Sequence, residues 1–201
     1  MAARSKSSKR SKSDSPNANE LLVVELQEIY SAESQLSRVL PRLSKSVDSD
    51  KLRKMLDDRQ EEGSRILAEL DGAFGEMDQS PGRKKNVAAE GLINDVRERV
   101  QEIEQGPALD AVIIGAMQKT EHYCIAAWGT AKSLAQAVGN KTATRAMDRA
   151  LKEGKGVDEK LTQLAEKDIT PALLSAADDE EDAATSARSQ KESSSESGAT
   201  T

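Results

Sequence analysis

The chain has 201 residues, of which 32% are charged and only 2% aromatic, with a net charge of −6. A single cysteine, Cys124, excludes an intrachain disulfide. No run approaches the ~20 apolar residues of a membrane helix, and no apolar signal segment follows the basic start. This composition predicts a protein of a reducing, cytoplasmic setting with no membrane partner, and the negative balance makes nucleic acid an unlikely partner for the whole chain.

The charge is unevenly spread. Residues 1–17 carry Arg4, Lys6, Lys9, Arg10 and Lys12 against Asp14 alone. The far end carries Asp178, Asp179, Glu180, Glu181, Asp182, Glu192 and Glu196 against Arg188 and Lys191. Both ends are Ser-rich and poor in apolar residues, so neither buries enough surface to fold alone. The expected organisation is a disordered basic tail at 1–17, one helical domain at 18–174, and a disordered acidic tail at 175–201.

Inside the domain the apolar residues recur at helical steps of three and four. The first helix is expected over about Asn19 to Ser46, with the seam Leu22, Leu26, Ile29, Glu33, Leu36, Leu40, Leu43. Pro41 is expected to kink its last turn. The second follows a Ser49 cap and runs to Phe74 or Gly75, with the seam Leu52, Met55 or Leu56, Arg59, Glu62, Ile66, Leu70, Phe74. A shorter helix is expected from about Val87 to Ile103. Gly106 and Pro107 break the chain and open the most apolar helix, Pro107 to Val138, whose seam is Asp110, Ile113 or Ile114, Met117, Glu121, Cys124, Trp128, Ala131, Ala135. Gly139-Asn140 stops it. The last helix spans about Thr142 to Lys167 through Met147, Ala150 or Leu151, Gly154, Val157 or Asp158, and Leu161. Gly154 looks costly there and fills nothing, and Pro171 is expected to close the fold. No strand-like alternation occurs, so the class is all-α: a four-helix bundle with one additional short helix.

Three seams carry a carboxylate near mid-helix: Glu33, Glu62 and Glu121, with Asp158 a fourth candidate. A ring of carboxylates from separate helices is how bundles hold two iron or manganese ions. A single seam Glu is usually a lateral residue whose head reaches water, but three at matching depth favour a common layer.

Several segments together resemble the YciE/YciF family of ferritin-like proteins. They are Leu26-Gln-Glu-Ile-Tyr-Ser-Ala-Glu33-Ser-Gln-Leu36, Leu40-Pro-Arg-Leu43, Gln118-Lys-Thr-Glu-His-Tyr123, Ile125-Ala-Ala-Trp-Gly129 and Val157-Asp-Glu-Lys-Leu161. The resemblance covers about residues 19–170. It implies a ferritin-like bundle, a di-metal centre, an association with stress and a homodimer. It also implies that Glu33, Glu62 and Glu121 stand at metal-ligand positions. Three positions depart from the pattern: Arg59 stands for a His, Gly154 for a Glu, and Cys124 for a frequent Glu. The lone histidine, His122, is turned ~100° from Glu121 on a helix, which suits a flanking hydrogen-bonding role.

Arginine cannot ligate a cation and stays protonated. Among the three glutamates its guanidinium would stand in for a metal ion through paired bonds to carboxylate. The expectation is a stress-associated ferritin-like protein with a degraded di-metal site, weakly metal-binding or non-catalytic, holding iron or manganese only at reduced occupancy. On this reading, restoring ligands through Arg59→His with Gly154→Glu raises metal occupancy. The rival is a working di-iron or di-manganese ferroxidase or oxidase using Glu33, Glu62, Glu121 and Asp158. A lesser alternative is a nucleic-acid accessory protein acting through the basic tail.

Overall fold

The computed structural model describes residues 16–178. The expected tails fall largely outside the described residues. Among the described residues the α-helices are α1 (Ala18–Ser46), α2 (Asp50–Glu76), α3 (Val87–Glu102), α4 (Pro107–Ala137) and α5 (Lys141–Leu164). No strand occurs among the described residues. None of their helices is long and apolar enough to cross a membrane.

Each start has a chemical reason. Asn17 and Glu20 form a reciprocal capping box at α1. Ser49, Asn86 and Asn140 accept from backbone N–H groups at the starts of α2, α3 and α5. Pro107 opens α4, where its missing N–H costs nothing. Gly139 takes a positive φ of 74° in the tight reversal into α5.

Helix α1 runs through Pro41 to Ser46, the end expected of it. One expectation at a proline fails. Pro171 does not close the fold: after α5 a π-helical turn, Ala165–Ile169, leads into further helix over 170–178, beyond the expected boundary at 174. A proline ring crowds the carbonyl four residues earlier, and widening the turn ahead of it removes that conflict without ending the helix.

Helices α1, α2, α4 and α5 pack in a ring, α1 on α2 and α4, α5 on α2 and α4, while α3 lies along α1 and α4. The core is split in two. One cluster includes Leu22, Leu26, Ile29, Ile66, Leu70, Phe74, Trp128 and Met147. The other includes Leu36, Leu40, Leu43, Leu56, Ile113, Met117 and Leu161. On α1, α2 and α4 the residues between these clusters are Glu33, Arg59 with Glu62, and Glu121.

The far end of the bundle is pinned by a buried carboxylate. Asp110, 2% exposed, accepts from the backbone N–H of Asp48 at 2.9 Å and of Ser49 at 2.8 Å. It thereby fixes the α1–α2 turn from α4 and sets a negative charge at the start of α2. Asp110→Ala strands two donors beneath the turn. It should lower unfolding free energy by roughly 2–3 kcal/mol, read as a lower denaturant midpoint at unchanged m-value, with Asp110→Asn falling between.

Candidate metal centre and the buried arginine

The polar layer is built by helical register. Glu33 follows Ile29 by four residues and precedes Leu36 by three, so it must enter the core with them. The same holds for Glu121 between Met117 and Cys124, and for the Arg59–Glu62 pair between Leu56 and Ile66. Glu33 is 1% exposed, Arg59 1%, Glu62 4% and Glu121 0%.

Arg59 occupies the middle. Its Nη2 donates to both oxygens of Glu33, at 3.0 and 3.1 Å, and its Nε donates to Glu121 Oε1 at 2.6 Å. Its Cζ lies 5.8 Å from the centroid of the Trp128 ring, a cation–π contact in a dry setting. Burial works against the guanidinium charge, but Glu33 and Glu121 outweigh it and hold Arg59 firmly protonated. Burial also raises the Glu121 pKa, a rise that Arg59 opposes. Cys124 lies beside Arg59, and burial together with Glu33 and Glu121 pushes its thiol well up, so it stays neutral.

The other expected residues sit at the rim. Burial, only partly offset by Arg59, raises the Glu62 carboxyl to about 7. Glu62 also lines an open cleft of about 460 Å3 between α2 and α5. Asp158 is half-buried and is not drawn into the ring: its Oδ2 lies 3.1 Å from Nε2 of the exposed His122. His122 therefore takes the flanking role expected of it. Glu62 Oε1, Glu121 Oε2 and Asp158 Oδ1 are buried without a hydrogen-bond partner.

Gly154 has a reason that its place in the sequence hides. A Cβ there would stand 2.3 Å from Trp128 Cζ3 and 3.0 Å from Cη2, so the glycine does not fill nothing: its missing side chain is the space the indole occupies. For the same reason, Arg59→His with Gly154→Glu does not rebuild the layer, because a glutamate at 154 would overlap a fully buried ring. Gly63 plays a similar part on α2, where a Cβ would crowd Arg59 Nη1 at 3.1 Å and Glu33 Oε2 at 3.2 Å.

These residues do not fit two metal ions as they stand. The guanidinium lies where Glu33 and Glu121 converge, and Trp128 covers position 154. Among the described residues no three of His, Cys, Asp and Glu are grouped to hold a metal ion.

Comparison with known proteins places this arrangement. The family model described as "Domain of unknown function (DUF892)" matches residues 17–174. Protein YciF of Escherichia coli (strain K12) is 36% identical over 145 residues, covering 72% of this chain and 87% of YciF. The chain belongs to the YciF family. The crystal structure of the E. coli stress protein YciF superposes with a TM-score of 0.72 at 34% identity, covering 75% of this chain and 96% of that one. YcfI from Rhodopseudomonas palustris superposes at 0.71 and 31% identity, covering 76% and 98%. The ferritin-like bundle expected from the family resemblance is therefore the fold of this YciF-family chain.

Sequence reasoning found the layer but missed its fittings. Asn86, 1% exposed, ties the α2–α3 loop to the Glu28 carbonyl and to Tyr123 Oη, and although its place before α3 marks a cap, nothing local marks these two long-range bonds. The Trp128–Gly154 contact joins two helices, and its one visible sign is a glycine on a core seam.

Two outcomes follow from this geometry. A helical Gly→Ala change is ordinarily favourable by about 1 kcal/mol. Gly154→Ala should instead cost roughly 1–3 kcal/mol by overpacking against Trp128, and should turn neutral or stabilising in a Trp128→Leu background, as a double-mutant cycle of melting curves would read. The second concerns pH. With its folded pKa raised from 4.5 to about 7, Glu62 holds a proton in the folded state that the unfolded chain has lost. Its contribution is therefore present below the unfolded value and falls away as pH rises through that window. It amounts to at most about 3 kcal/mol, reduced by whatever water in the cleft screens. Glu62→Gln should flatten this part of the stability–pH profile and leave the variant more stable than the parent above neutral pH.

Proposed function

We propose that this YciF-family chain is a stress-associated, ferritin-like protein in which a fixed arginine takes the structural place of a di-metal centre. The single observation behind this reading is the buried Arg59, hydrogen-bonded to Glu33 and Glu121 from two other helices. A guanidinium neutralises and crosslinks carboxylates as an ion would, but it opens no coordination position and undergoes no redox change. Two dications would also meet its charge in a core of low dielectric, where repulsion is severe. On this proposal the protein is non-catalytic or weakly metal-binding. Glu62 Oε1, Glu121 Oε2 and Asp158 Oδ1 are the buried oxygens that Arg59 leaves free, but they are not grouped as a metal site, so any ion is held only weakly. The stress association comes from the description of E. coli YciF as a stress protein. The homodimer and the cytoplasmic setting belong to the same reading.

Chemistry follows from the donor set. A ferroxidase needs two ions held with a position open to oxygen or peroxide, and here the ligand positions at 59 and 154 are taken by a cation and by the space for Trp128. Metal analysis of protein purified without chelator should give fewer than two ions per chain, with ferrous oxidation no faster than in buffer. Two bound irons with rapid oxidation would overturn the proposal in favour of the di-iron reading. Arg59→Ala should destabilise the metal-free protein by about 3–5 kcal/mol, since it leaves buried carboxylates uncompensated. An unchanged melting temperature would show that Arg59 does not hold the layer together.

A further inference from the structure

Away from the polar layer, the α2–α3 loop brings a run of basic residues against α1. An open cleft of about 320 Å3 lies between α1 and the α2–α3 loop, lined by Ser31, Ser34, Gln35 and Arg38 on one side and Arg83 and Lys84 on the other. A smaller hollow of about 100 Å3 shares Gln35, Arg38 and Lys85 with it and adds Arg97 from α3. Lys84 pairs with Glu28 at 2.8 Å and Lys85 pairs with Glu90. Arg38, Arg83 and Arg97 have no carboxylate partner among the described residues.

The loop is held in place rather than merely draped over the surface. Gln27 Nε2 donates to the Ser80 carbonyl at 2.9 Å, and Gly82 takes a φ of 72° directly beneath. At the other end the Asn86 backbone N–H donates to Ser31 Oγ at 2.9 Å, and Gln35 Nε2 donates to the Asn86 carbonyl at 3.0 Å. The Asn86 side chain is buried and bonded to α1 and α4. Five bonds at Ser80 and Asn86 thus hold both ends of the loop that carries Arg83-Lys84-Lys85 beside the Arg38 face of α1, so the backbone bearing these basic groups is ordered before any ligand arrives.

The chemistry of such a site is specific. Guanidinium forks match the oxygens of phosphoryl groups in paired, charge-assisted bonds, and the Ser31 and Ser34 hydroxyls can add donors. The remainder of the chain is net negative. A long polyanion laid across it would be repelled outside the cleft, whereas a compact one feels only the local field. We propose that the cleft between α1, the 80–86 loop and α3 binds the phosphoryl groups of a phosphorylated small molecule, with Arg38 and Arg83 as the principal contacts.

The test is a titration of the full chain with pyrophosphate, followed by calorimetry at low and at raised salt. In parallel, a random-sequence DNA duplex is titrated under the same conditions. Saturable pyrophosphate binding is expected. Arg38→Glu with Arg83→Glu should weaken it roughly tenfold or more. A charge-matched control, Lys155→Glu with Lys167→Glu, changes exposed side chains outside the cleft and should leave it within about twofold. All four are surface positions, so helical content and melting confirm that the variants fold. Absence of pyrophosphate binding, or equal loss in the cleft variant and the control, would overturn the site. Binding of the duplex in preference to pyrophosphate, lost in the cleft variant, would overturn the assignment to a small molecule.

Discussion

The bundle depends on one ion-paired arginine. Arg59 joins α2 to Glu33 on α1 and to Glu121 on α4, and it does so at the level where the apolar core is interrupted. Hydrophobic packing is non-directional and tolerates small slips of one helix past another within either half of the bundle. The guanidinium is directional, and satisfying Glu33 and Glu121 at once requires a particular register of three helices. A buried pair of this kind is weak evidence for net stability, because desolvation offsets most of its Coulombic gain. Its larger effect is to make alternative registers expensive, since any slip leaves carboxylates buried and unpaired.

The neighbours of Arg59 have to be small for this to work. Gly63 and Gly154 lie on the two helices flanking the layer, and a methyl group at either would meet the guanidinium, a carboxylate oxygen or the Trp128 ring. The indole then covers the guanidinium from the α4 side and keeps water away from it. Dryness strengthens every charge pair in the layer. It also explains why Cys124, one turn from Glu121, stays a neutral thiol rather than a nucleophile.

Much of this was legible in the sequence. The three-and-four periodicity located every long helix, and Glu33, Arg59, Glu62 and Glu121 fell on the seams because register leaves them nowhere else to point. Asp158 was harder to place: it shares a seam position with Val157, and only packing decides which of two adjacent residues turns inward. Here both lie half-buried at the rim. Gly154 was misread because its purpose is a contact with Trp128 on another helix, and periodicity describes one helix at a time. Pro171 was misread because a π-helical turn lets a helix pass a proline, and no local residue pattern announces that turn. The Asn86 and Asp110 anchors share the same difficulty, each joining segments more than thirty residues apart.

The layer's charge balance bears on the state of Glu62. Two divalent ions among carboxylates supply four positive charges, whereas a guanidinium supplies one. With Glu33 and Glu121 both bonded to Arg59, the layer is already negative before Glu62 is counted. Glu62 has no bonded cation of its own, lies against Glu121, and borders the open cleft between α2 and α5. Burial is the largest cause of its raised pKa; Arg59 opposes the rise and the neighbouring carboxylates, Glu121 foremost, add to it, so the carboxyl reaches about 7 and favours a proton. The remaining charge mismatch is therefore carried at the rim, where water and protons can reach it, and not at the centre, where they cannot. That distribution leaves a single fixed cation at the centre, bonded to Glu33 and Glu121, and a protonatable carboxyl at the edge.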